Sequence, residues 1–175
     1  AIRFTSTDLA RYAGYQIKKV KFYTQGIGTF KVRIWTGSDN SITPTTIVTD
    51  QACTITASTW NEIVLDVPVT ISGTDAYWIG FNNVYTAANY AMGIDNSEKV
   101  LDKGCLRSVN NGSWLNSNAP GNLNIQAYIE EAPARKLNAG HLLSIPVITN
   151  NNGDIITDVA DPAFKTPATT RLLSG

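Results

Sequence analysis

The chain has a single histidine and two cysteines in 175 residues, and charged residues make up only 16% of it. Basic and acidic residues balance at 14 each, so the chain has no net positive charge that would attract nucleic acid or anionic lipid. No apolar run is long enough to cross a bilayer, which predicts no membrane insertion. No helical pattern reaches the length of a βαβ crossover. These absences argue against nucleic-acid partners, membrane insertion and the α/β enzyme folds.

Catalytic signatures are also scarce. A Ser-His-Asp or Cys-His set would have to use His141, whose neighbours Leu142 and Leu143 indicate packing rather than a catalytic loop. The Cys, His and carboxylate spacing matches no zinc motif. Glycoside hydrolysis needs two carboxylates facing each other across a cleft, and no pair is marked among the acidic residues. These are Glu62, Asp66, Asp75, Glu98, Asp102, Glu130 and Glu131. The sequence therefore predicts a protein that is not an enzyme.

What the sequence does contain is alternating apolar residues, most clearly over residues 60–84. Apolar side chains occupy every second position from 63 to 71 and again from 77 to 81, and residues 72–75 supply turn chemistry between the two runs. The apolar positions are Ile63, Leu65, Val67, Val69 and Ile71, then Tyr77, Ile79 and Phe81. This pattern predicts two strands that form a central hairpin with one buried face.

About ten such short strands, separated by turn signals, predict an all-β fold, and we expect an antiparallel jelly-roll-like β-sandwich. Ser6, Thr7 and Asp8 offer a cap for one or two helical turns that end at Gly14. Asn110-Asn111-Gly112 predicts a hairpin between residues 105–109 and 113–115. We assign residues 1–131 to the sandwich and 132–175 to a C-terminal appendage, either a hairpin plus linker packed on the sandwich or the start of another module.

Outward aromatic and cationic residues are the candidate ligand-binding set. Residues 17–24 and 29–36 both alternate, and pairing across the glycine-rich turn between them would bring Tyr23 near Lys31 and Lys19 near Trp35. The predicted face comprises Tyr23, Lys31, Arg33 and Trp35. Trp78 is either a second platform or part of the inner face of the other sheet. The alternative is that these rings cover sheet surface and pack on the aliphatic stems of the basic residues. Trp60 and Trp114 are expected to pack at strand entries.

Two further site predictions concern the cysteines and calcium. Cys53 and Cys105 could form a disulfide, as in a secreted protein, or remain two separate buried thiols. Asp39, Asn40 and Asp95 lie in loops whose oxygen atoms suit a structural calcium ion, although the same residues are ordinary turn formers. No other cofactor is expected. The sequence starts at Ala1 with neither an initiator Met nor a signal peptide, so we expect a mature form or an excised fragment.

Framework residues along positions 1–131 resemble a known family. They are Phe4-Thr5, Asp8-Leu9, 12–22, 60–65, 69–71, 77–81, 112–114 and 124–128. Together they resemble the secreted jelly-roll adhesin-type modules of large Bacteroidetes surface proteins and proteases, and are more distantly similar to gingipain adhesin domains. The resemblance implies a surface location, a non-catalytic role in adhesion or binding, and in some cases bound calcium. These residues specify a fold better than they specify a ligand.

The leading hypothesis is therefore a secreted or cell-surface, non-catalytic binding or adhesion module of a larger protein. Its expected partners are a glycan or a host or matrix protein, together with neighbouring domains of the parent chain. One alternative is a jelly-roll hydrolase or lyase that acts on polysaccharide, which two close carboxylates in a cleft would favour. The other is a structural spacer in a long surface protein.

Overall fold

The computed structural model describes residues 1–25, 29–84, 92–108 and 112–133, and of residues 83 and 84 only the backbone. Antiparallel strands dominate this part of the chain. They are β1 (Ile2–Phe4), β2 (Tyr15–Thr24), β3 (Thr29–Gly37), β4 (Thr46–Cys53), β5 (Thr59–Thr70), β6 (Ala76–Val84), β7 (Leu106–Ser108), β8 (Trp114–Asn116) and β9 (Ile125–Glu131). One short helix, α1 (Ser6–Leu9), continues into a 3-10 turn over Ala10–Tyr12.

The strands form two larger sheets and one hairpin. The first sheet has the order β1-β6-β3-β4, the second has the order β5-β2-β9, and β7 pairs with β8. All pairings between these strands are antiparallel. The all-β prediction is therefore confirmed, as is the β7–β8 pairing. Within the described ranges, no helix is long and apolar enough to cross a membrane.

The main core lies between the two larger sheets. Phe30, Val32 and Ile34 of β3 are fully buried, as are Val20 and Phe22 of β2. The rings of Phe22 and Phe30 stack across the two sheets with centroids 6.4 Å apart. Removing a large apolar side chain from water in this way contributes about 1.5–3 kcal/mol. The alternating inward positions predicted for these two strands are confirmed.

A capping box starts the helical turn. Thr5, one residue earlier than the predicted cap, accepts the backbone N–H of Asp8 at 3.2 Å, while the Asp8 carboxylate accepts the N–H of Thr5 at 2.8 Å. These reciprocal bonds satisfy amide groups that a helix start leaves without partners. The segment ends at Gly14, whose φ of 85° suits glycine. The predicted helical turn is therefore confirmed.

Two predicted strand pairings are wrong. β2 pairs with β5 and β9, whereas β3 pairs with β4 and β6, so the strands on either side of the glycine-rich turn lie in different sheets. The same holds for the predicted central hairpin, because β5 and β6 also lie in different sheets. Alternation shows which face of a strand is buried. It does not show whether two such strands are neighbours in one sheet or lie in two sheets that pack face to face.

The inward position predicted for Val67 is also wrong, since this side chain is 74% exposed. The register explains the exposure: Ile17 lies opposite Val69 but Lys19 lies opposite Val64, so β5 carries extra residues at a bulge. Pro68 lies in this irregular stretch, where its missing N–H costs no ladder hydrogen bond. Leu65 and Ile71, on either side of the bulge, remain buried.

A second, smaller core lies on the outer face of the first sheet. Trp35 of β3 and Trp78 of β6 share this face as cross-strand neighbours, and Leu106 and Trp114 of the β7–β8 hairpin pack over them. Trp114 approaches Trp35 edge-on, with ring centroids 5.1 Å apart. The first sheet is therefore apolar on both of its faces at this end. The predicted appendage, together with His141, lies outside the described residues from position 134 onward.

Candidate functional site

The structure buries two residues of the predicted ligand-binding set. Trp35 is 8% exposed and Trp78 is 0% exposed. Trp78 donates its indole N–H to the carbonyl of Ile42 at 3.0 Å, and the guanidinium of Arg3 lies 5.0 Å from its ring centroid. Both rings point to the predicted side of the sheet, but the hairpin layer covers that side. The prediction that they form an open platform is therefore wrong.

Lys31 and Arg33 lie on the same outer face but are engaged with an acidic neighbour. Asp50 of β4 lies directly opposite Arg33, and its carboxylate accepts Arg33 Nε at 2.8 Å and Lys31 Nζ at 3.0 Å. The hydrogen bond from Arg33, with a further contribution from Lys31, holds the pKa of Asp50 below its ordinary value. Tyr23 lies in the other sheet, so the predicted ribbon of Tyr23, Lys31, Arg33 and Trp35 is not one face.

Tyr23 belongs instead to the outer face of the second sheet, where aromatic and charged side chains lie in cross-strand rows. We call this surface the Trp60–Tyr128 face. Its residues are Trp60, Glu62 and Val64 of β5, Lys19, Lys21 and Tyr23 of β2, and Gln126, Tyr128 and Glu130 of β9. The register places Tyr23 opposite Trp60, Lys21 between Glu62 and Gln126, and Lys19 between Val64 and Tyr128.

Trp60 and Tyr128 are each 39% exposed, in contrast to the buried Trp35 and Trp78. Tyr23 contacts Trp60 edge-on with centroids 6.0 Å apart, and Lys21 Nζ lies 5.3 Å from the Trp60 ring centroid. Lys19 Nζ lies 4.6 Å from the Tyr128 ring centroid. Such cation–π and edge contacts hold the rings in fixed orientations while leaving part of each in contact with solvent.

The two exposed rings lie at opposite corners of the face. Trp60 and Tyr128 are separated by four positions along the strands and by two strand spacings. Ordinary sheet geometry then puts their Cα atoms about 16 Å apart. Lys19 and Lys21, with Glu62 and Gln126 beside them, occupy the area between the rings. A ligand that contacts both rings must therefore be extended, and it passes over side chains that donate and accept hydrogen bonds.

The acidic groups of the face are each engaged by a lysine. Glu62 accepts Lys19 Nζ at 2.9 Å, and the hydrogen bond raises the pKa of Lys19 above its ordinary value. Glu130 accepts Lys18 Nζ at 2.7 Å, which lowers the pKa of Glu130. Both pairs are exposed, so their contribution to stability is small. They do, however, fix the positions of polar groups beside the rings.

The two predicted calcium loops are held by internal hydrogen bonds. The Asp39 carboxylate accepts the backbone N–H of Ser6 at 2.9 Å, and hydrogen bonds from Ser6 lower its pKa. Asp95 accepts the backbone N–H of Asn122 at 2.9 Å, which lowers its pKa as well. The N–H of Asn40 bonds the Ser38 hydroxyl. In the described part of the chain, no three or more His, Cys, Asp or Glu side chains lie together in a group that could hold a metal ion. Calcium binding stays a prediction.

The predicted disulfide is absent, because Cys53 and Cys105 are both free thiols. Cys53 ends β4 and packs against the main core between the sheets, whereas Cys105 is buried just before β7, in the layer outside the first sheet. Burial raises the pKa of Cys53, which favours the neutral thiol. The alternative interpretation, two separate thiols packed as small apolar groups, is the one that the structure supports.

Of the face, sequence reasoning assigned only Tyr23 to a ligand-binding role. Trp60 was expected to pack at a strand entry, Lys19 was expected near Trp35, and Lys21 and Tyr128 were given no role. The missing information is which strands are neighbours, since β2 brings residues of β5 and β9 together. No protein-family model, curated protein or solved structure matches this chain.

Proposed function

We propose that this chain is a non-catalytic binding module, a β-sandwich of jelly-roll topology, that holds a carbohydrate chain on the Trp60–Tyr128 face. The observation that carries the proposal is the pair of 39%-exposed rings at opposite corners of a three-stranded sheet, with lysine, glutamate and glutamine side chains between them. We extend the proposal to a secreted or cell-surface location, because the low charge content and the resemblance to adhesin-type modules favour it.

Sugar chemistry suits this arrangement. The C–H face of a pyranose ring packs on an aromatic ring, while its hydroxyls need donors and acceptors at the ring's edge. Trp60 supplies the ring at one corner, with Lys21 above it, and Tyr128 supplies the ring at the other, with Lys19 above it. Rings held in place by such contacts lose little conformational freedom when a ligand binds.

Binding is favoured over catalysis by the carboxylates of the face. Glu62 and Glu130 lie on β5 and β9, on either side of β2, and each is bonded to a lysine. A glycosidase needs one carboxyl group that carries a proton and a second that faces the same sugar bond. A lysine partner instead stabilises the ionised carboxylate. A host or matrix protein is the other partner class that an aromatic-rich face would fit.

The test compares single variants on an array of polysaccharides and host glycans. Trp60→Ala and Tyr128→Ala should each weaken retention at least about tenfold, because each removes a stacking ring worth roughly 1.4 kcal/mol or more. The thermal midpoint should change little, since both rings are partly exposed. Leu115→Ala is the matched control, because Leu115 is a similarly exposed apolar residue on β8, away from the face.

Two outcomes would refute carbohydrate binding at this face. In the first, the unmodified protein is retained by no glycan on a broad array. In the second, a glycan is retained equally well by the parent protein and by Trp60→Ala and Tyr128→Ala. The first outcome would leave protein adhesion or a spacer role, and the second would move the glycan site elsewhere on the chain.

A further inference from the structure

A cleft of about 710 Å³ opens between the two larger sheets, on the side where β1 and β9 form their edges. Its walls are apolar side chains from both sheets, from α1 and from the segment before β9. They include Ile2, Phe4, Leu9, Leu123, Ala127 and Ile129. Of these, Leu9 is buried and the others are partly buried at the border of the main core. The cleft is distinct from the Trp60–Tyr128 face, because it uses the inner side of β9 and the face uses the outer side.

At the opposite side of the sandwich, β4 and β5 are bridged by a side chain. There, the side chain of Gln51 links the two sheets: its Nε2 donates to the carbonyl of Val64 and its Oε1 accepts the N–H of Asp66, both at 2.9 Å. The cleft is also too large for a packing defect, since protein interiors leave few voids larger than a water molecule. Its volume falls within the range of roughly 300–1,000 Å³ that is typical of ligand sites.

The charged residues that line the cleft are mostly cationic. They are Arg3, Arg11 and Lys103, against the single carboxylate of Asp8. The guanidinium of Arg3, however, donates to the carbonyl of Asp39 at 2.6 Å and lies against Trp78 on the outer face of the first sheet, away from the cleft. Asp8 is already paired with Lys103 at 2.7 Å, in addition to its capping bonds. Arg11 is exposed, and its guanidinium lies 4.7 Å from the ring centroid of Tyr12. The lining therefore combines apolar walls with an exposed cation, Arg11, which complements a ligand that has an apolar chain and an anionic end.

We infer that this cleft is a second binding site, for an amphiphile with a single aliphatic chain and a carboxylate head. The chain lies against the apolar walls formed by Phe4, Leu9 and Ile129, where it removes their surfaces from water. The carboxylate lies at Arg11, whose planar guanidinium forms paired hydrogen bonds with such a group. The inference does not depend on carbohydrate binding, because the two sites share no residue.

The probe is dodecanoate, titrated calorimetrically below the concentration at which it forms micelles. Arg11→Glu should weaken binding by at least about tenfold, because it replaces the cation by a like charge. Ala127→Trp should abolish binding by filling the cleft, provided that its melting curve and near-UV spectrum show a folded protein. Trp60→Ala should bind dodecanoate as tightly as the parent protein. Dodecyltrimethylammonium, with the same chain and the opposite charge, should bind at least about tenfold more weakly than dodecanoate.

Any of four results would overturn the inference. They are the absence of dodecanoate binding, an Arg11→Glu variant that binds as the parent does, equal affinities for the anionic and cationic probes, or a folded Ala127→Trp variant with unchanged binding. Sedimentation of the free protein adds a further check. A dimer that Ala127→Trp converts into a monomer would assign the cleft to a second copy of the chain instead.

Discussion

The two larger sheets present outer faces that look alike in sequence and differ in the fold. Both carry alternating aromatic and cationic residues, yet Trp35 and Trp78 are buried on one whereas Trp60 and Tyr128 are partly exposed on the other. The difference comes from the β7–β8 hairpin, which packs Trp114 and Leu106 over the first sheet. Alternation identifies the side of a strand to which a ring points, and a distant segment decides whether that side meets water.

The largest expected effect of this difference is on stability. Trp78→Ala should lower the free energy of unfolding by about 3–5 kcal/mol, through lost burial and a residual cavity. The change also leaves the carbonyl of Ile42 without its indole donor, which adds to the cost. Urea unfolding of the variant and the parent protein, followed by circular dichroism, measures the change.

The matched change on the other sheet is Trp60→Ala. It removes the same kind of ring from a partly exposed position, so we expect a loss of less than about 1 kcal/mol, as for surface substitutions in general. Comparable losses for Trp78→Ala and Trp60→Ala would show that the Trp60–Tyr128 face is covered in solution, and the binding proposal would fail with it.

An effect between those of Trp78→Ala and Trp60→Ala should come from loosening the cover itself. Trp114→Ala removes the ring that contacts Trp35 at 5.1 Å, and we expect a loss of about 1–3 kcal/mol from reduced burial and the lost ring pair. Acrylamide quenching provides an independent measurement, because Trp35 should become accessible while Trp78 stays protected by its bond to Ile42. Unchanged quenching of the remaining tryptophans would contradict the covering role.

Much of the fold could be predicted because the alternation of buried and exposed positions can be seen within a few residues of a single strand. The inward positions of Phe30, Val32 and Ile34, and of Tyr77 and Ile79, follow from alternation over a few residues. Strand pairing is not local: β2 lies between β5 and β9, about 40 and 110 residues away in sequence, and no short pattern encodes that choice. Val67 was mispredicted for a related reason, because it lies in the bulge of β5, between residues that pair with β2 on either side.

The candidate site was less predictable than the fold. Tyr23, Lys19 and Lys21 share one parity in sequence, which placed them correctly on one surface, but Trp60 and Tyr128 join them only through the pairing of β2 with its two neighbours. The cleft between β1 and β9 was not predicted at all. It arises where two sheet edges meet, and the residues that line it come from stretches of the chain that are far apart in sequence.

The smallest expected effect tests the charged part of the first sheet's outer face, where Asp50 bonds Arg33 and Lys31. These bonds lower the folded-state pKa of Asp50 below the ordinary 3.8, so the ionised carboxylate stabilises the fold at higher pH. The contribution should be complete well above pH 3.8 and should disappear as the pH falls through the lowered pKa. Because Asp50 is partly exposed, solvent screening limits the effect, and Asp50→Asn should cost no more than about 1 kcal/mol near pH 7.

Urea unfolding of the variant and the parent protein at about pH 7 and about pH 2.5 should show a difference that shrinks at the lower pH. A difference that is equal at both values would mean that the ion pairs of this face contribute nothing through charge, and that Asp50 acts there only as a hydrogen-bond acceptor.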